Sequence, residues 1–597
     1  MAYIPFTYAP MEKKGDKKYV YNLFSGGVKL SEGSGYAEEG KAESLCNIDI
    51  KDGGAETRCA RVILSENQEI KGEFHSVYSE TFGGKIIMHS GTSLYAIDDV
   101  NEGFYEISAS LPDKKSLMCT FLSKLYIYSD SRIFSLDSNF ELVEEMPYAP
   151  LIYDNAGAKI GTADRTDEKY NLCAPVVRVR YTKNYYHPES SYMYFLYPVD
   201  ADITKPVYVY VNGVRLPESL YYYNEYEVTV KQRLETDEDV VEVVFFTYWS
   251  NTDVDDGFEK CSIAEAFGGN MNGGTRLFIT GNPDKKGFYY KSGLQDPLCF
   301  SEEDTEIIGD GCEEITAMKR MYGDLIIFTK NSVFRMSYNP SYEVSPFAVK
   351  EIGNGVGCDC PGSICLIDNR VVFLNSKKGV FIVDSTESTG EQNIKPISGN
   401  ILSGGGEGIL DCAHDSLVNC CSIDFDRKYI LGIGNKMYIW DYDKRSFRDS
   451  GSYASSQSRL IWYIYSCDFG CDFFYEKDQR LVCLEKEKYT LSCFDKNKRD
   501  GVTASFSSGR LGIDGGYGKK QVTGMEIIIE AFTDGSVLLN FYADGTKYCS
   551  KNVIVAGGEK KHLKLGLPSK TLVSFAFDLI ANSGIRIEGI SFNYRNI

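Results

Sequence analysis

Short apolar runs recur along the chain in pairs, and a few polar or glycine residues separate the two members of each pair. The first pair is Lys85-Ile86-Ile87-Met88 and Leu94-Tyr95-Ala96-Ile97, with Ser90-Gly91 between them. An apolar run of this length that ends at turn residues is typical of a strand, and two in succession predict a β-hairpin. Seven hairpins are found in this way, starting at Lys85, Leu125, Arg276, Leu325, Val371, Tyr429 and Phe473.

The spacing of these hairpins favours one architecture. Most follow one another at roughly 40 to 58 residues, which suits four-stranded propeller blades. We therefore predict an all-β fold built around a β-propeller of six or seven blades. A series of separate β-sandwiches is the alternative, because hairpins recur in sandwiches as well.

Two further regions differ from the blades. Between the second and third hairpins lie β-branched and aromatic segments, including Val207 to Arg215 with its Asn-Gly turn, which predict a small inserted β-sandwich. From Gly501 onward, alternating strands predict a second sandwich, and the charged stretch from Glu485 to Asp500 is interpreted as a linker. The predicted division is 1–170, an N-terminal arm and the first blades; 171–252, the inserted β-sandwich; 253–500, the remaining blades; and 501–597, a C-terminal β-sandwich.

Composition agrees with short aromatic strands joined by tight turns. The 597 residues include 56 glycines, 43 tyrosines and 33 phenylalanines. Lys and Arg number 64 against 84 Asp and Glu, so the formal charge is −20, and binding to DNA through counterion release is not expected. An acidic channel wall would let a duplex slide past without sticking, although a solubilising surface is the simpler explanation.

The cysteines predict neither disulfides nor a metal site. There are 18, in a chain whose first residues, Met1 to Phe6, lack the pattern of a signal peptide, so reduced thiols are expected. Close pairs such as Cys358 with Cys360 do not repeat the spacing of zinc ligands, and a role as small buried side chains is expected. We predict no metal and no cofactor. No apolar run approaches the roughly 20 residues of a membrane-spanning helix.

Local signatures of catalysis are missing from the sequence. There is no G-x-S-x-G, no Walker loop and no H-E-x-x-H, and most of the five histidines lie far apart in sequence. The acid-rich stretches Asp253 to Glu259 and Ser301 to Glu306 could supply a glycosidase pair of carboxylates, but such loops are normally just solvated. We predict no catalytic residues and a protein that is not an enzyme.

Clustered tyrosines in the insert are the best candidates for contacts with a partner. Tyr185 and Tyr186 form one cluster, and Tyr221, Tyr222 and Tyr223 form the other. Such side chains could stack on sugar rings or on a neighbouring protein subunit. Packing against the faces of strands is the alternative.

Several motifs occur in a characteristic order. They are Asn47 to Arg58, Asn272 to Pro283, Tyr289 to Pro297, Ile308-Gly309, Glu314 to Met318, Gly355 to Ile364 and Ile590 to Arg595. They extend from Asn47 to Arg595, so the resemblance spans most of the chain. In pattern and order they resemble the propeller-containing tail hub, nozzle and packaged-DNA stabilisation proteins of short-tailed phages.

The resemblance implies a structural virion protein, made in the host cytoplasm and assembled into the phage tail. It implies a ring of identical subunits, commonly a homohexamer, below the portal and adaptor. Such a ring retains packaged double-stranded DNA without specific binding and then forms part of the ejection conduit. Tail fibres and the host cell surface are further partners in this view. The alternatives are a receptor- or glycan-binding tail protein, possibly glycan-cleaving, and a cellular propeller that serves as an interaction platform.

Overall fold

The computed structural model describes residues 16–21, 26–30, 41–51, 54–65, 70–78, 80–97, 103–130, 132–153, 159–161, 171–181, 192–231, 239–248, 260–269, 275–341, 345–384, 394–442, 460–485, 489–513 and 518–597. Two compact units are distinguished: residues 69–357, and residues 1–68 together with 358–597. Strands dominate both units. The described helices are one short α-helix, α1 at His414–Val418, and 3₁₀ turns at Glu218–Leu220 and Ile409–Asp411.

Five strands precede the first blade. They are β1 Lys17–Tyr21, β2 Ser44–Cys46, β3 Ile48–Lys51, β4 Gly54–Thr57 and β5 Ala60–Ser65. All five belong to the unit that also holds the C-terminal half of the chain. Each pairs with at least one strand from that half, except β3, which pairs with β4.

The unit of residues 69–357 starts with two four-stranded antiparallel sheets, each in simple meander order. Blade 1 contains β6 Phe74–Val77, β7 Ile87–Ser90, β8 Ser93–Ile97 and β9 Phe104–Ser108. Blade 2 contains β10 Leu117–Phe121, β11 Lys124–Ser129, β12 Arg132–Leu136 and β13 Leu142–Glu145. Ile87 and Leu94 of blade 1 pack with Leu125 and Ile127 of blade 2 in one apolar core.

The inserted domain follows blade 2 and has its own core. Its strands are β14 Ala149–Tyr153, β15 Lys159–Gly161, β16 Val176–Tyr181, β17 Met193–Leu196, β18 Tyr208–Val211, β19 Val214–Arg215, β20 Tyr221–Tyr223, β21 Glu227–Val230 and β22 Val241–Phe246. They form a six-stranded sheet, β15-β14-β16-β22-β18-β19, and a three-stranded sheet, β17-β21-β20. The insert thus includes β14 and β15, which the predicted division at residue 171 had assigned to the region of the first blades.

Two more blades complete this unit. Blade 3 contains β23 Ile263–Phe267, β24 Arg276–Thr280, β25 Phe288–Gly293 and β26 Asp296–Ile307; blade 4 contains β27 Ile315–Met321, β28 Asp324–Thr329, β29 Ser332–Tyr338 and β30 Phe347–Asn354. The first strands of neighbouring blades lie side by side in the order β6, β10, β23 and β27. Blades 3 and 4 share a core that includes Phe278 and Ile327.

The other unit contains three blades. Blade 5 contains β31 Cys360–Ile367, β32 Arg370–Asn375, β33 Gly379–Val383 and β34 Ile394–Pro396; blade 6 contains β35 Cys421–Phe425, β36 Lys428–Ile433, β37 Lys436–Asp441 and β38 Trp462–Ser466; blade 7 contains β39 Cys471–Lys477, β40 Arg480–Glu485 and β41 Thr490–Asp495. The fourth strand of blade 7 is β5, from the N-terminal segment. An ion pair of Arg61 with the buried Glu485 adds to the β5 pairing, and Arg61 Nε lies 2.6 Å from the carboxylate.

The interpretation of Glu485 to Asp500 as a linker was wrong. Its middle part is β41, whose Leu491 and Cys493 are buried in the sheet. Charged residues on either side concealed a strand whose partner β5 lies more than 400 residues away in sequence, with Arg61 opposite Phe494. Such long-range pairing leaves no local signal.

The C-terminal strands form two packed sheets. They are β42 Ala504–Ser507, β43 Lys520–Ala531, β44 Gly535–Ala543, β45 Thr546–Val555, β46 Lys560–Leu572, β47 Phe575–Ala581 and β48 Ile585–Asn596. One sheet has the order β3-β4-β48-β43-β46, with β1 also paired to β48, while β2-β42-β47-β44-β45 continues the sheet of blade 6. The sandwich therefore also uses N-terminal strands, which the division at residue 501 had separated from it.

The prediction of an all-β propeller fold with an inserted β-domain and a C-terminal β-sandwich is confirmed. The described residues contain seven four-stranded blades, within the predicted range. Blade strands read as continuous apolar runs because both faces are covered: every residue of β8, β28 and β33 is buried.

Candidate interaction surface

The tyrosine-rich three-stranded sheet of the insert has one buried and one exposed face. Alternation along the strands directs Phe195, Tyr221, Val228 and Val230 into the core of the domain. On the opposite face Tyr194 is 42% exposed, Leu196 39% and Tyr222 46%. We refer to Tyr194, Leu196, Tyr222 and Thr229 as the tyrosine face.

The five predicted contact tyrosines have different positions. Tyr185 and Tyr186 lie outside the described residues. Tyr221 is buried, and its hydroxyl donates to the carbonyl of Val207 at 2.8 Å, so it supports the core and offers no contact surface. Tyr223 stacks on Tyr221 with ring centroids 6.5 Å apart and is partly exposed at the rim of that core. Of the five, Tyr222 lies on the tyrosine face.

Thr229 occupies the centre of the tyrosine face. The strand register places it directly opposite Tyr194 on one side and Tyr222 on the other. Its side chain is fully buried, and its Oγ1 has no hydrogen-bond partner. A buried hydroxyl without a partner costs on the order of 1–3 kcal/mol, so such groups are uncommon in folded proteins. Sequence reasoning missed Thr229 because a single threonine in a strand carries no local signal.

Charge is sparse on the tyrosine face itself. Lys231 Nζ lies 5.7 Å from the centre of the Tyr222 ring and donates to the carbonyl of Ser219 at 3.1 Å. Glu227, at the start of β21, lies opposite Leu196. The face therefore exposes aromatic rings and phenol groups around the buried hydroxyl of Thr229, with the carboxylate of Glu227 beside Leu196 and a single cation beside Tyr222 among its described neighbours.

The acid-rich stretch Ser301 to Glu306 belongs to a strand, β26. Lys291, which is almost fully buried, forms an ion pair with Glu306 and lies 3.7 Å from Asp304, and Tyr289 donates to Glu306. These carboxylates are therefore engaged in the structure of blade 3. Asp253 to Glu259 lies outside the described residues.

Two histidines that sequence reasoning treated as isolated lie together in blade 1. The ring centroids of His75 and His89 are 4.9 Å apart, His75 Nε2 lies 2.8 Å from Asp113, and His89 Nδ1 lies 2.9 Å from Ser116 Oγ. Burial, together with His75, lowers the pKa of His89 to about 4. His89 is fully buried and Ser116 nearly so, which leaves this serine-histidine pair without access to a substrate.

A carboxyl group with an unusual pKa lies on the first strand of blade 3. Burial raises the pKa of Glu265 to about 7. The positive charge of Lys319 opposes this shift, and the negative charge of Glu80 adds to it. Lys319 itself pairs with Glu80 at 3.3 Å. Perturbed carboxyl groups are frequent at functional sites, but ion-pair networks perturb them too.

No other chemical centre is found in the described part of the chain. None of the eighteen cysteines forms a disulfide. Burial raises the pKa of thiols such as Cys119 and Cys173, which makes them poor nucleophiles. Cys471 differs, because against its burial the hydrogen bonds with the thiols of Cys421 and Cys483 lower its pKa to about 6, but its side chain is buried. Among the described residues, no group of His, Cys, Asp or Glu side chains is arranged to hold a metal ion. None of the described helices has the length and apolarity required to cross a membrane.

Comparisons with known proteins give a likeness to solved structures alone. No family model matches the chain, and no curated protein matches it. BamB from Moraxella catarrhalis is similar at 8% identity over 74% of this chain and 98% of its own, with a TM-score of 0.30. The computationally designed Ika8 protein is similar at 7% identity over 72% and 99%, with a TM-score of 0.32. A structure of BBS1N in complex with ARL6DN is similar at 9% over 74% and 98%, with a TM-score of 0.24. At these values the likeness carries no argument about function.

Proposed function

We propose that this chain is a structural, non-enzymatic subunit of a bacteriophage tail, in the hub or nozzle ring below the portal and adaptor. Its role would be to retain packaged DNA and to form part of the ejection conduit. The observation that carries the proposal is the ordered series of motifs that resembles tail hub and nozzle proteins, running from the N-terminal segment to the last strand.

Contacts of the motif residues are consistent with a structural role. In the first motif, Arg58 Nε donates to Asn47 Oδ1 at 2.8 Å, and Thr57 Oγ1 donates to the carbonyl of Ser583 at 3.0 Å. The second bond joins the N-terminal segment to the sandwich, and the first holds the segment itself together. In a second motif, Arg276 Nη1 donates to the carbonyl of Ser292 at 2.6 Å within blade 3. Motif residues of this kind hold strands together and present no open reactive group.

The formal charge of −20 also supports a conduit. A subunit that lines a passage for DNA without binding it needs few exposed phosphate-binding groups. A closed ring further requires two complementary surfaces on each copy. The second candidate function, a glycan-binding tail protein, is favoured by the tyrosine face.

The test is the particle mass of the purified full chain, measured by light scattering over a range of concentrations, with negative-stain images of the same sample. We expect a ring of identical subunits with a central hole, most simply a hexamer. A gel-shift measurement at physiological salt should show no retention of linear double-stranded DNA. Persistent monomers at high concentration, also when mixed with portal and adaptor proteins, would contradict the proposal.

A further inference from the structure

We infer that the tyrosine face of the inserted domain binds an extended, neutral polysaccharide. The inference concerns the three-stranded sheet alone and does not depend on ring formation. It begins with the two exposed tyrosines, Tyr194 and Tyr222, which flank Thr229 in the strand register.

The spacing of the tyrosines fits a sugar chain. Tyr194 and Tyr222 are two strands apart, and neighbouring strands lie about 4.8 Å apart, so the two side chains leave the sheet roughly 10 Å from each other. That distance corresponds to about two residues of an extended β-linked glycan, in which every second ring presents the same side. Both rings could therefore stack on one chain, with their phenol groups at its edge.

The unpartnered hydroxyl of Thr229 distinguishes a glycan from an apolar partner. A sugar hydroxyl that reached between the two tyrosines could donate to or accept from Oγ1 and so satisfy a group that has no partner in the free protein. In this proposal Tyr194 or Tyr222 rotates to open a path to the buried Oγ1, since exposed side chains rotate on the picosecond to nanosecond scale. An aliphatic side chain of a protein partner would leave the hydroxyl unsatisfied.

The charge distribution favours a neutral glycan over an acidic one. The chain carries −20 overall, and Lys231 is already engaged with Ser219 and the Tyr222 ring. Anionic polymers such as nucleic acids or uronate-rich glycans need several exposed cations. The tyrosine face does not offer them.

The first experiment is affinity electrophoresis of the full chain in native gels that contain a soluble β-glucan, a xylan or a mannan, with alginate as the anionic comparison. We expect at least one neutral polysaccharide to retard the protein. Tyr194→Ala and Tyr222→Ala should each weaken binding about tenfold, equivalent to roughly 1.4 kcal/mol. Tyr248→Ala is the matched control, since Tyr248 is 61% exposed in the same domain but lies outside the tyrosine face.

The second variant is Thr229→Val, which separates binding from stability. Removing an unpartnered buried hydroxyl should leave the melting temperature unchanged or raise it. The same change should weaken binding about threefold to tenfold, because it removes the hydrogen bond to the glycan. Damage to the fold would lower both the melting temperature and the affinity, so it would not produce weaker binding with an unchanged or higher melting temperature.

Four results would overturn the inference: no retardation by any neutral polysaccharide, stronger retardation by alginate, an equal loss for Tyr248→Ala, or unchanged affinity of Thr229→Val. Particle mass measured on the same samples keeps the two proposals apart. A ring without glycan binding overturns this inference only, whereas glycan binding by a persistent monomer overturns the ring and leaves the inference standing.

Discussion

Glu265 should make the unit of residues 69–357 less stable as the pH rises. Burial raises the pKa of this carboxyl from 4.5 to about 7 in the folded chain. Between pH 4.5 and about 7 this carboxyl group is therefore protonated in the folded state and ionised in the unfolded state. The stabilisation is fully present below pH 4.5 and is lost as the pH rises through 7. Glu265→Gln imitates the protonated form and should remove the dependence.

The size of the effect follows from the shift. At 1.36 kcal/mol per pKa unit, the difference between about 7 and 4.5 sets an upper limit of about 3 kcal/mol. Partial solvent access and the nearby Lys319 reduce it, so we expect Glu265→Gln to gain about 1–2 kcal/mol over wild type between pH 5 and pH 8.

Amide hydrogen exchange measured by mass spectrometry is the suitable assay, because a chain with two units need not unfold in one step. Peptides that cover β23 and β27 are compared between variant and wild type at the same pH, which cancels the intrinsic pH dependence of exchange. Glu141→Gln is the matched control, since Glu141 is exposed in the same unit. The reasoning would be refuted if the difference in protection between Glu265→Gln and wild type did not change with pH, or if the protection of wild type increased relative to the variant as the pH rises.

Three further predictions concern single side chains. Burial lowers the pKa of His89 from 6.5 to about 4, so protonation of His89 should destabilise blade 1 by at most about 3 kcal/mol as the pH falls through this range. His89→Gln should abolish this pH dependence, measured by hydrogen exchange of peptides that cover β7. Arg58→Lys should lower the melting temperature of its unit, at a cost of about 2–3 kcal/mol, because lysine cannot bond both Asn47 and the carbonyl of Ser466; calorimetry would detect it. Tyr221→Phe should cost about 1 kcal/mol through the lost bond to Val207 and leave polysaccharide binding unchanged; an affinity loss would place Tyr221 in the binding surface.

The blades were predictable because their strands carry a strong local signal. In six of the seven hairpins the two predicted strands are the second and third of a blade, which are covered on both faces and so consist of apolar runs. In blade 7 the predicted pair is β39 and β40, the first and second strands. The first and fourth strands are more exposed and mixed in sequence, as in β9 and β13, and were not identified one by one.

The residues in the turns explain in part why the first strands of the blades were hard to predict. Several blades connect their first and second strands through two residues with positive φ, such as Asp368 with Asn369 (45° and 58°) and Asp478 with Gln479 (49° and 59°). Such turns match the twist of the flanking strands but normally carry Asn-Gly or Asp-Gly. Here the buried strands on both sides determine the turn, and the turn residues themselves are only a weak sequence signal.

The tyrosine face shows the same limit at the level of a site. The run Tyr221-Tyr222-Tyr223 was identified as a cluster, but which tyrosine faces outward depends on the register of β20 against β21. A shift by one residue would bury Tyr222 and expose Tyr221. Thr229 gains its position from two pairings at once, with Tyr194 and with Tyr222, and no local pattern encodes that.

The N-terminal segment links two structures that the sequence suggested were independent. Within about twenty residues it supplies β3 and β4 to the sandwich and β5 to blade 7. Arg58 lies between them, with its guanidinium against the rings of Tyr465 and Phe494. Loss of the sandwich would therefore remove the contacts that hold the chain just before β5, leave β5 attached only through blade 7, and make the edge of β41 easier to expose. An unpaired edge strand is prone to associate with other chains. The sandwich therefore protects blade 7, although the two are built from different segments of the chain.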